Sequence, residues 1–345
     1  MFRRKFIKIS NNVPMIGSLA FGVIDRGTNI IELRPTTVCP LSCIFCSVNA
    51  GPKSRARWAE YLVEKDLLIQ AIKETVKYKD IDNIEVHIDG MGEPGVYPKL
   101  ADLVQELKSI NKVKTVSIQT RLFMFNEDKI RDLAEAGLDR VNLSVDALNE
   151  DLAKKLANTS WYNVSRVLRL AEYTVRNTSI DVIISPVWLP GINDIEIERI
   201  IEWSLRAGLG KKWPPILIQK YIPHKRGRKV NVKVMSWSEF YRRLKILEKK
   251  FNIKLIYSNE IFNIVKTQEL PKPYKIGDVV KVEVIERGIF LNEYLAVPLK
   301  RKFTNISDRV ITLIASSRLE DEIIGARLKV KIIENKHNIY LAKLT

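Results

Sequence analysis

Strand-like and helix-like hydrophobic patterns alternate from about residue 30 to residue 257. The predicted strands cover residues 29–34, 83–88, 114–119, 140–145, 179–184 and 215–220. Between them, apolar residues recur at helical spacing, which predicts helices at residues 64–77, 100–110, 127–136, 164–175, 195–207 and 238–250. Six repeated β-α units around a parallel sheet predict an α/β fold, a partial (β/α)6 barrel.

The pattern changes after residue 266. Two closely spaced prolines, Pro271 and Pro273, favour an extended linker at residues 267–275. Beyond it, five short β-branched runs alternate with turn signals, at residues 279–285, 294–299, 309–314, 326–333 and 339–344. Such short strands predict a small all-β barrel of the OB type. We therefore divide the chain into an N-terminal extension (1–28), an α/β barrel (29–266), the linker (267–275) and a small β-barrel (276–345).

The N-terminus resembles a signal peptide only superficially. Residues 1–6 carry three positive charges and precede an apolar stretch at residues 15–24, but Asn11, Asn12 and Pro14 interrupt the pattern. No small-residue cleavage pattern follows, so we expect a strand or hairpin. No run reaches the ~18 apolar residues of a membrane span. With only three cysteines there is no disulfide framework, and the sequence predicts a cytoplasmic protein without a membrane partner.

The charge balance indicates a polyanionic partner. The chain has 57 Lys and Arg residues against 40 Asp and Glu residues, a formal net charge of +17. RNA or DNA is the first partner that such an excess predicts. The alternative is that the charged surface serves solvation or thermal stability and binds nothing.

Three cysteines fall within eight residues, so one tight loop can direct all three thiols to one centre: Cys39, Cys43 and Cys46. A structural zinc ion normally takes four ligands, and the chain has no other cysteine. Zinc would therefore need a histidine from a remote position: His87, His224 or His337. A cubane cluster held by three thiolates instead leaves one iron open to a substrate or cofactor. Three unliganded thiols would not explain the clustering.

This motif resembles the signature of the radical S-adenosylmethionine (SAM) superfamily, in which three and then two residues separate the cysteines and an aromatic residue precedes the last. Phe45 occupies the aromatic position. The resemblance implies a [4Fe–4S] cluster whose open iron chelates the amino and carboxylate groups of SAM. It also implies a reducing electron donor, whose electron cleaves SAM to a 5′-deoxyadenosyl radical. The protein then orients the cofactors and excludes competing reactions.

Unusual residues follow the second predicted strand, as expected where an active site lies at the C-terminal ends of barrel strands. Gly90, Gly92 and Glu93 resemble the superfamily's Gly-Gly-Glu segment, although Met91 shifts the second glycine by one position. The resemblance implies that this segment binds the amino group of SAM. A plain turn between strand and helix is the alternative.

Later strand ends carry further candidate cofactor contacts. Thr120 follows the third predicted strand, and Ser144 and Asp146 close the fourth, where similar enzymes contact the SAM carboxylate and ribose. Such residues are also common caps and turn formers. Residues 186–194 resemble the superfamily segment that lines the adenine, and Asn193 is also a natural N-cap of the next helix.

A basic segment follows the sixth predicted strand, at the expected rim of the active site. Its candidate RNA contacts are Lys225, Arg226, Arg228 and Lys229. They would guide an anionic substrate inward; a solvated basic loop is the alternative. Arg55, Arg57 and Trp58, just beyond the cysteines, extend this predicted patch, although Trp58 is alternatively a core residue.

The small β-barrel resembles the TRAM domain, an RNA-binding module attached to several tRNA- and rRNA-modifying enzymes. The match lies in residues 276–282 (IGDVVKV) and 325–332 (GARLKVKI). An unrelated small barrel is the alternative. Lys300, Arg301 and Lys302 are the candidate phosphate contacts, since clustered cations supply most of such affinity through counterion release.

The cysteine count narrows the chemistry. Methylthiolating relatives carry a second cluster, and the RNA methylases that use a methylated cysteine need two more thiols; this chain has neither set. The whole pattern also resembles an archaeal-type group of uncharacterised Fe–S oxidoreductases. Our first hypothesis is a radical SAM enzyme that modifies tRNA or another structured RNA. The second is a radical SAM enzyme acting on a metabolite, lipid or peptide, and the third a non-catalytic RNA-binding metalloprotein.

Overall fold

The structure is a computed structural model that describes residues 4–10, 13–315 and 323–345; Asn11 and Asn12 lie outside the described residues. Strands β1 to β10 are Lys5–Ile9, Gly22–Asp25, Ile30–Arg34, Ala59–Val63, Ile84–Ile88, Val113–Thr120, Arg140–Leu143, Asp181–Ile184, Val187–Trp188 and Gln219–Lys220. Helices α1 to α7 are Lys65–Lys79, Leu100–Lys108, Glu127–Glu135, Glu150–Ala157, Val164–Asn177, Asp194–Arg206 and Trp237–Phe251.

A six-stranded sheet, in the order β2-β3-β5-β6-β7-β8, forms the centre of this part of the chain. β2 is antiparallel to β3, and the remaining strands run parallel. Helices α1, α2 and α5 pack against the sheet, which explains why β8 is buried along its whole length. The carboxyl ends of the parallel strands therefore meet at one edge, and the loops after them form one surface.

The predicted helices are confirmed close to their predicted bounds. Asn126, Asn149 and Asn163 cap α3, α4 and α5 by accepting a hydrogen bond from the amide three residues further on. The short helix α4 was not predicted, although its cap and first-turn acidic residues were the local signal. No helix in the described part of the chain combines the length and hydrophobicity needed to cross a bilayer.

The sixth predicted strand, at residues 215–220, is reduced to β10, which pairs in parallel with β9. The bonds from Leu217 N to Ile184 O (2.9 Å) and from Ile184 N to Pro215 O (3.0 Å) continue the pairing irregularly beside β8. Pro186 and Pro215 lack the amide hydrogen that a regular ladder needs. A full (β/α)6 pattern therefore stays a prediction.

The C-terminal strands close into a five-stranded barrel, which confirms the predicted strands in this region. They are β11 (Val279–Arg287), β12 (Glu293–Pro298), β13 (Ile311–Ile314), β14 (Arg327–Glu334) and β15 (Leu341–Leu344). The side chains of Val282, Tyr294, Leu313, Val330 and Ala342 belong to one buried cluster inside it. The likeness to TRAM domains stays a prediction.

The small barrel packs directly onto the N-terminal part of the chain. Ile289, Phe290, Leu295 and Val310 belong to the same buried cluster as the core of the central sheet. The amide of Val310 also donates to Ile16 O at 2.9 Å. The barrel therefore shares a core with the rest of the protein, and the domain boundaries drawn from the sequence stay a prediction.

Residues 267–275, predicted as an extended linker, contain no helix or strand. The backbone of Leu270 nevertheless bonds both to the sheet and to the small barrel. Its amide donates to Asp25 Oδ2 at 2.8 Å, and its carbonyl oxygen accepts from Asn338 Nδ2 at 3.0 Å. The segment thus forms part of the packed junction between sheet and barrel.

A buried ion pair lies at this junction. Lys79 Nζ lies 2.8 Å from Asp25 Oδ1, and both side chains are fully buried. The same ammonium group donates to Thr267 Oγ1 at 2.7 Å and to Gln268 O at 3.1 Å. One lysine therefore joins α1, β2 and the linker.

Replacing Lys79 with Met should leave the Asp25 carboxylate buried without its partner. Breaking a buried pair in this way costs about 3–5 kcal/mol, so we expect the free energy of unfolding to fall by that amount. Lys77→Met, at an exposed position of the same helix, is the matched control and should change it by less than about 0.5 kcal/mol. Urea unfolding measures both, and equal midpoints would contradict the role given to the pair.

Candidate functional site

Cys39, Cys43 and Cys46 lie in the loop that follows β3, at the carboxyl edge of the sheet. All three line one cavity of about 400 Å³, and each is partly buried. The buried ring of Phe45 lines the same cavity. Sites for small molecules have volumes of roughly 300–1,000 Å³. This cysteine cavity therefore has the size of a ligand site.

The fully buried side chain of Arg57 is hydrogen-bonded to the chain before and after the cysteines. It donates to the carbonyl oxygens of Thr37 (2.8 Å), Val48 (3.1 and 3.2 Å) and Met91. Glu60 accepts from it at 2.9 Å. Burial lowers the pKa of Arg57, and Glu60 opposes the shift. Both ends of the cysteine loop and the glycine segment are thus held by one side chain, and Arg57 is not part of an exposed RNA-binding patch.

Arg228 braces the loop from another side. Its Nη1 donates to Cys43 O at 3.0 Å and its Nη2 to Ala50 O at 2.6 Å. Its backbone amide donates to Cys46 O at 2.8 Å. The guanidinium is thus placed to position the cysteines, and the contact of Arg228 with RNA stays a prediction.

Two glycines allow the loops to approach each other. A Cβ atom on Gly92 would lie 2.4 Å from Val38 O, and Glu93 N donates to that oxygen at 2.8 Å. Gly51 has a φ of +93°, and a Cβ there would lie 1.6 Å from Leu41 O. Only glycine fits such positions without a backbone shift. The glycine segment therefore packs against the start of the cysteine loop.

The carboxylate of Glu93 is buried at the cysteine cavity. Its Oε1 accepts from Thr120 Oγ1 and, at 3.0 Å, from Gly95 N, while Oε2 accepts from Arg121 N at 3.1 Å. Burial raises the pKa of Glu93, and these hydrogen bonds oppose the shift. A carboxylate oxygen can accept two bonds, so Oε2 has capacity for one donor of a bound ligand.

The ends of β6 and β7 contribute polar groups to the same cavity. Gln119 Nε2 donates to Ser144 Oγ at 2.6 Å, and both residues line the cavity. The structure thus brings six of the predicted cofactor contacts together at one site: Phe45, Gly90, Gly92, Glu93, Thr120 and Ser144.

Asp146 is the exception among the predicted cofactor contacts. Its carboxylate accepts from Arg121 Nη2 at 2.6 Å and from Val187 N at 2.9 Å. The residue is buried and does not line the cavity. Since β7 ends at Leu143, Asp146 lies beyond the strand end and bonds to the next loop. Asp146 is therefore placed to position Arg121, and its direct contact with the cofactor stays a prediction.

Arg121 is a cavity residue that the sequence reasoning missed. Its guanidinium carbon lies 5.9 Å from the ring centroid of Phe45 and 6.0 Å from that of Tyr162. Burial acts to lower the pKa of Arg121, but Cys43 and Asp146 outweigh it and raise this pKa well above its usual value. The sequence did offer a signal for it: Arg121 directly follows Thr120, just after the third predicted strand, where cavity residues are expected.

The cysteine cavity disfavours free thiolates. Burial raises the pKa of Cys43 to about 11, with Arg121 opposing the shift, and it raises the pKa of Cys39 further. A bound metal deprotonates a coordinating thiol outright, so the cavity favours thiolates only together with a cationic group. A cubane cluster binds each thiolate to a different iron, and a loop that brings three thiols to one cavity fits such a cluster.

His224 also lines the cysteine cavity. It lies on the exposed basic segment and is the histidine that a zinc site at these cysteines would have available. Across residues 4–10, 13–315 and 323–345, however, no three or more His, Cys, Asp and Glu side chains are grouped to hold one metal ion.

Arg226 connects the basic segment to the small β-barrel. Its guanidinium contacts the buried carboxylate of Glu293 and lies 4.8 Å from the ring centroid of Phe290. Burial raises the pKa of Glu293, and Arg226 opposes the shift. Arg226 itself is still exposed over 39% of its side chain, and the predicted RNA contacts Lys225 and Lys229 are exposed as well, so all three stay predicted RNA contacts.

The remaining predicted cations lie on the small barrel and beside the cysteine loop. Lys300 and Lys302 are exposed after β12, and the Arg301 guanidinium lies 5.0 Å from the ring centroid of Phe303. Arg55 is exposed and lines another cavity, of about 1120 Å³, which Cys39 also borders.

Trp58 is a packing residue. It is only partly exposed, and the Arg287 guanidinium lies 4.0 Å from its ring centroid. The small barrel therefore covers its indole, which favours the alternative that Trp58 is a core residue.

Comparison with known proteins identifies the region that contains these loops. Residues 33–204 match the profile of the Radical SAM superfamily, a range that begins in β3 and ends in α6. The crystal structure of SuiB from Streptococcus suis bound to S-adenosylmethionine has a similar fold, with a TM-score of 0.51 and 18% identity. That similarity covers 68% of this chain and 51% of SuiB.

Two relatives illustrate the range of sequence similarity. The uncharacterized protein MJ0103 of Methanocaldococcus jannaschii is 40% identical over 99% of this chain and 81% of its own length. The GTP 3′,8-cyclase of Clostridium botulinum is 26% identical over 59% of this chain. The match spans 60% of the length of the cyclase.

Arg228→Ala should weaken metal retention, because it removes two side-chain hydrogen bonds from the cysteine loop. Each is worth about 1 kcal/mol, so we expect a severalfold faster loss of iron to a chelator after anaerobic reconstitution with iron and sulfide. Lys229→Ala, at the exposed neighbouring position, is the control and should retain iron like the wild type. Identical retention by both variants would show that Arg228 does not hold the loop.

Proposed function

Because residues 33–204 place the chain in the radical SAM superfamily, whose members use a [4Fe–4S] cluster and SAM, we propose that it modifies tRNA or another structured RNA by radical chemistry. Cys39, Cys43 and Cys46 hold the cluster in this proposal, and the cysteine cavity binds SAM. The observation that carries it is the convergence of three thiols and the polar strand-end groups on one cavity of about 400 Å³.

The cofactors supply the reactive species, and the protein supplies geometry. Held by Cys39, Cys43 and Cys46, a reduced [4Fe–4S] cluster would supply the electron for cleavage of SAM into methionine and a 5′-deoxyadenosyl radical, and that radical would supply hydrogen-atom abstraction. Radical SAM enzymes need a reductant for this step. The part of the chain described here contributes the orientation of SAM and the exclusion of water and competing reactions.

Glu93 and Arg121 suit the two charged groups of the methionine part of SAM. The Oε2 atom of Glu93 can accept a charge-assisted hydrogen bond from the ammonium group. Arg121 uses Nη2 for Asp146 and has further N–H donors for the carboxylate. Thr120 holds the Glu93 carboxylate and Asp146 holds the Arg121 guanidinium, so both groups are fixed before SAM binds.

Ser144 lies at the end of β7, where we place the SAM ribose. Its hydroxyl oxygen accepts from Gln119, which leaves its hydrogen for a ligand oxygen. Val187, in the segment that resembles an adenine-binding loop, also lines the cavity. The side chain of Asn193 holds that segment: it accepts from Leu189 N at 2.7 Å and donates to Val187 O at 2.9 Å.

The distribution of exposed cations supports RNA as the substrate. Lys225 and Lys229 lie on the basic segment beside the cysteine cavity, and Lys300 and Lys302 lie on the small barrel. The contact between Arg226 and Glu293 joins these regions at the start of β12. The six residues of β12 span about 20 Å, so both groups of cations can contact one structured RNA.

The similarity to GTP 3′,8-cyclases favours a second candidate function. A radical SAM enzyme acting on a free purine nucleotide would use the same cysteines and the same cavity. The chain and the cyclase are 26% identical over 59% of the chain. This level of similarity supports related chemistry in the two proteins more than it supports the same substrate.

Formation of 5′-deoxyadenosine tests the proposed reaction. After anaerobic reconstitution and reduction with dithionite, we expect the wild type to form it from SAM and bulk tRNA to increase its rate severalfold. Cys43→Ala should reduce formation to the level of a sample without reductant, because one cluster ligand is missing. A well-formed cluster that yields no 5′-deoxyadenosine would overturn the radical reaction, whereas formation that ignores tRNA would favour the nucleotide substrate.

The salt dependence of RNA affinity tests the role of the small barrel. Removing the whole barrel would expose its shared core, so point variants are preferable. The double variant Lys300→Ala/Lys302→Ala should lower the slope of log affinity against log salt by about 1 for each lysine that contacts phosphate. Lys73→Ala, at an exposed position on α1, is the matched control. An unchanged slope in the double variant would exclude these lysines from the RNA interface.

A further inference from the structure

A second cavity, of about 560 Å³, lies beside the cysteine cavity and is lined by residues of β5, β7 and α7. Gln219 and Lys220 line both cavities. Asn142 of β7 lines the second cavity, and Ser144, which directly follows the strand, lines the cysteine cavity. A ligand in the second cavity would therefore adjoin a ligand in the first.

One wall of the second cavity is aromatic. Trp237 and Tyr241, on the first turns of α7, stack with ring centroids 5.8 Å apart and an interplanar angle of 25°. Both remain substantially exposed, at 53% and 43%, although they border a cavity. Phe240 and Phe262 line the same space. Such a wall suits a planar ring, because base–aromatic stacking contributes to binding whatever the base.

His87 also lines the second cavity, and its hydrogen bonds indicate which ring nitrogen can accept a bond from a ligand. Ser117 Oγ donates to Glu85 Oε1 at 2.7 Å, since an ionised carboxylate can only accept. Glu85 is paired with Arg140. The Ser117 oxygen must therefore accept the hydrogen bond from His87 Nδ1, at 2.8 Å. The imidazole tautomer that fits this bond carries its hydrogen on Nδ1 and has Nε2 as an acceptor.

Asn142 provides donors to the same cavity. Its Oδ1 accepts from Arg140 Nε at 3.0 Å, which assigns the amide orientation. The Nδ2 group then has two N–H donors and bonds to none of the residues that the structure describes. His87 and Asn142 thus offer an acceptor and a donor to the cavity, while Lys220 lies at its border with the cysteine cavity, 5.0 Å from the Trp237 ring centroid.

We propose that the second cavity binds the target nucleobase of the RNA substrate, unstacked from its neighbours. The base lies against Trp237 and Tyr241, its polar edge meets His87 Nε2 and Asn142 Nδ2, and Lys220 contacts the attached phosphate. This inference rests on the proposed function and names the substrate class for it. Enzymes that modify a base take it out of the stack into such a pocket, and the volume lies within the range of small-molecule sites.

The test uses the reconstituted protein saturated with SAM, so that the adenosine site in the cysteine cavity is occupied. Equilibrium dialysis measures the binding of each of the four ribonucleoside 5′-monophosphates. We expect at least one to bind, and Trp237→Ala to weaken it roughly fivefold to a hundredfold, as the loss of one stacking ring predicts. His87→Phe, which keeps a ring but removes the acceptor, should weaken the preferred nucleotide more than the other three.

Trp161→Ala is the matched control. Trp161 is also an exposed tryptophan, at 56%, with a ring neighbour, Phe123, at 5.6 Å, and it does not line the second cavity. Nucleotide affinity should be unchanged in this variant. If no nucleotide binds, or if Trp237→Ala and Trp161→Ala bind equally well, the assignment of the second cavity is wrong, whatever the protein does with RNA.

Competition separates this inference from the proposed function. Bulk tRNA that displaces the bound nucleotide from the wild type would support a base presented by RNA. If tRNA fails to compete while the Trp237 and His87 effects are present, the cavity binds a nucleobase but RNA is excluded as its source. The free nucleotide would then be the substrate.

Discussion

The site depends on one buried guanidinium group. Arg57 bonds to carbonyl oxygens at both ends of the cysteine loop and in the glycine segment, and Glu60 supplies the opposite charge. Burying a charge is costly unless it is paired and hydrogen-bonded, so these chain segments are stable only in the arrangement that satisfies it. The direction of the thiols and the position of the Glu93 carboxylate both follow from that constraint.

Two further arginines connect this centre to the small β-barrel. Arg228 bonds to the cysteine loop, and Arg226, two residues earlier, contacts Glu293 and Phe290 of the barrel. A short basic segment therefore links the barrel to the cysteines through backbone and side-chain bonds. The barrel is thereby fixed beside the cysteine cavity, with its exposed lysines on the same protein body.

The sequence was most informative where the determining interactions are local. Cysteine spacing, strand-end polar residues and helical periodicity each depend on neighbours a few positions away, and the structure places most of these residues as expected. The inward bonds of Arg57 and Arg228 were not predicted because their partners are distant: Met91 is 34 positions from Arg57 and Cys43 is 185 from Arg228. The bonds of Asp146 to Arg121 and Val187 and the shortened sixth strand were not predicted for the same reason, since loop packing and the effect of Pro186 on its neighbour strand are tertiary features.

The central claim is that the three cysteines hold a [4Fe–4S] cluster with one iron open to SAM. Electron paramagnetic resonance of the anaerobically reconstituted, dithionite-reduced protein, recorded with and without SAM, tests it most directly. The account predicts a [4Fe–4S] signal that changes when SAM is added, because SAM becomes a ligand of the open iron. A cluster signal that is indifferent to SAM, or a protein that binds zinc and no iron, would contradict it.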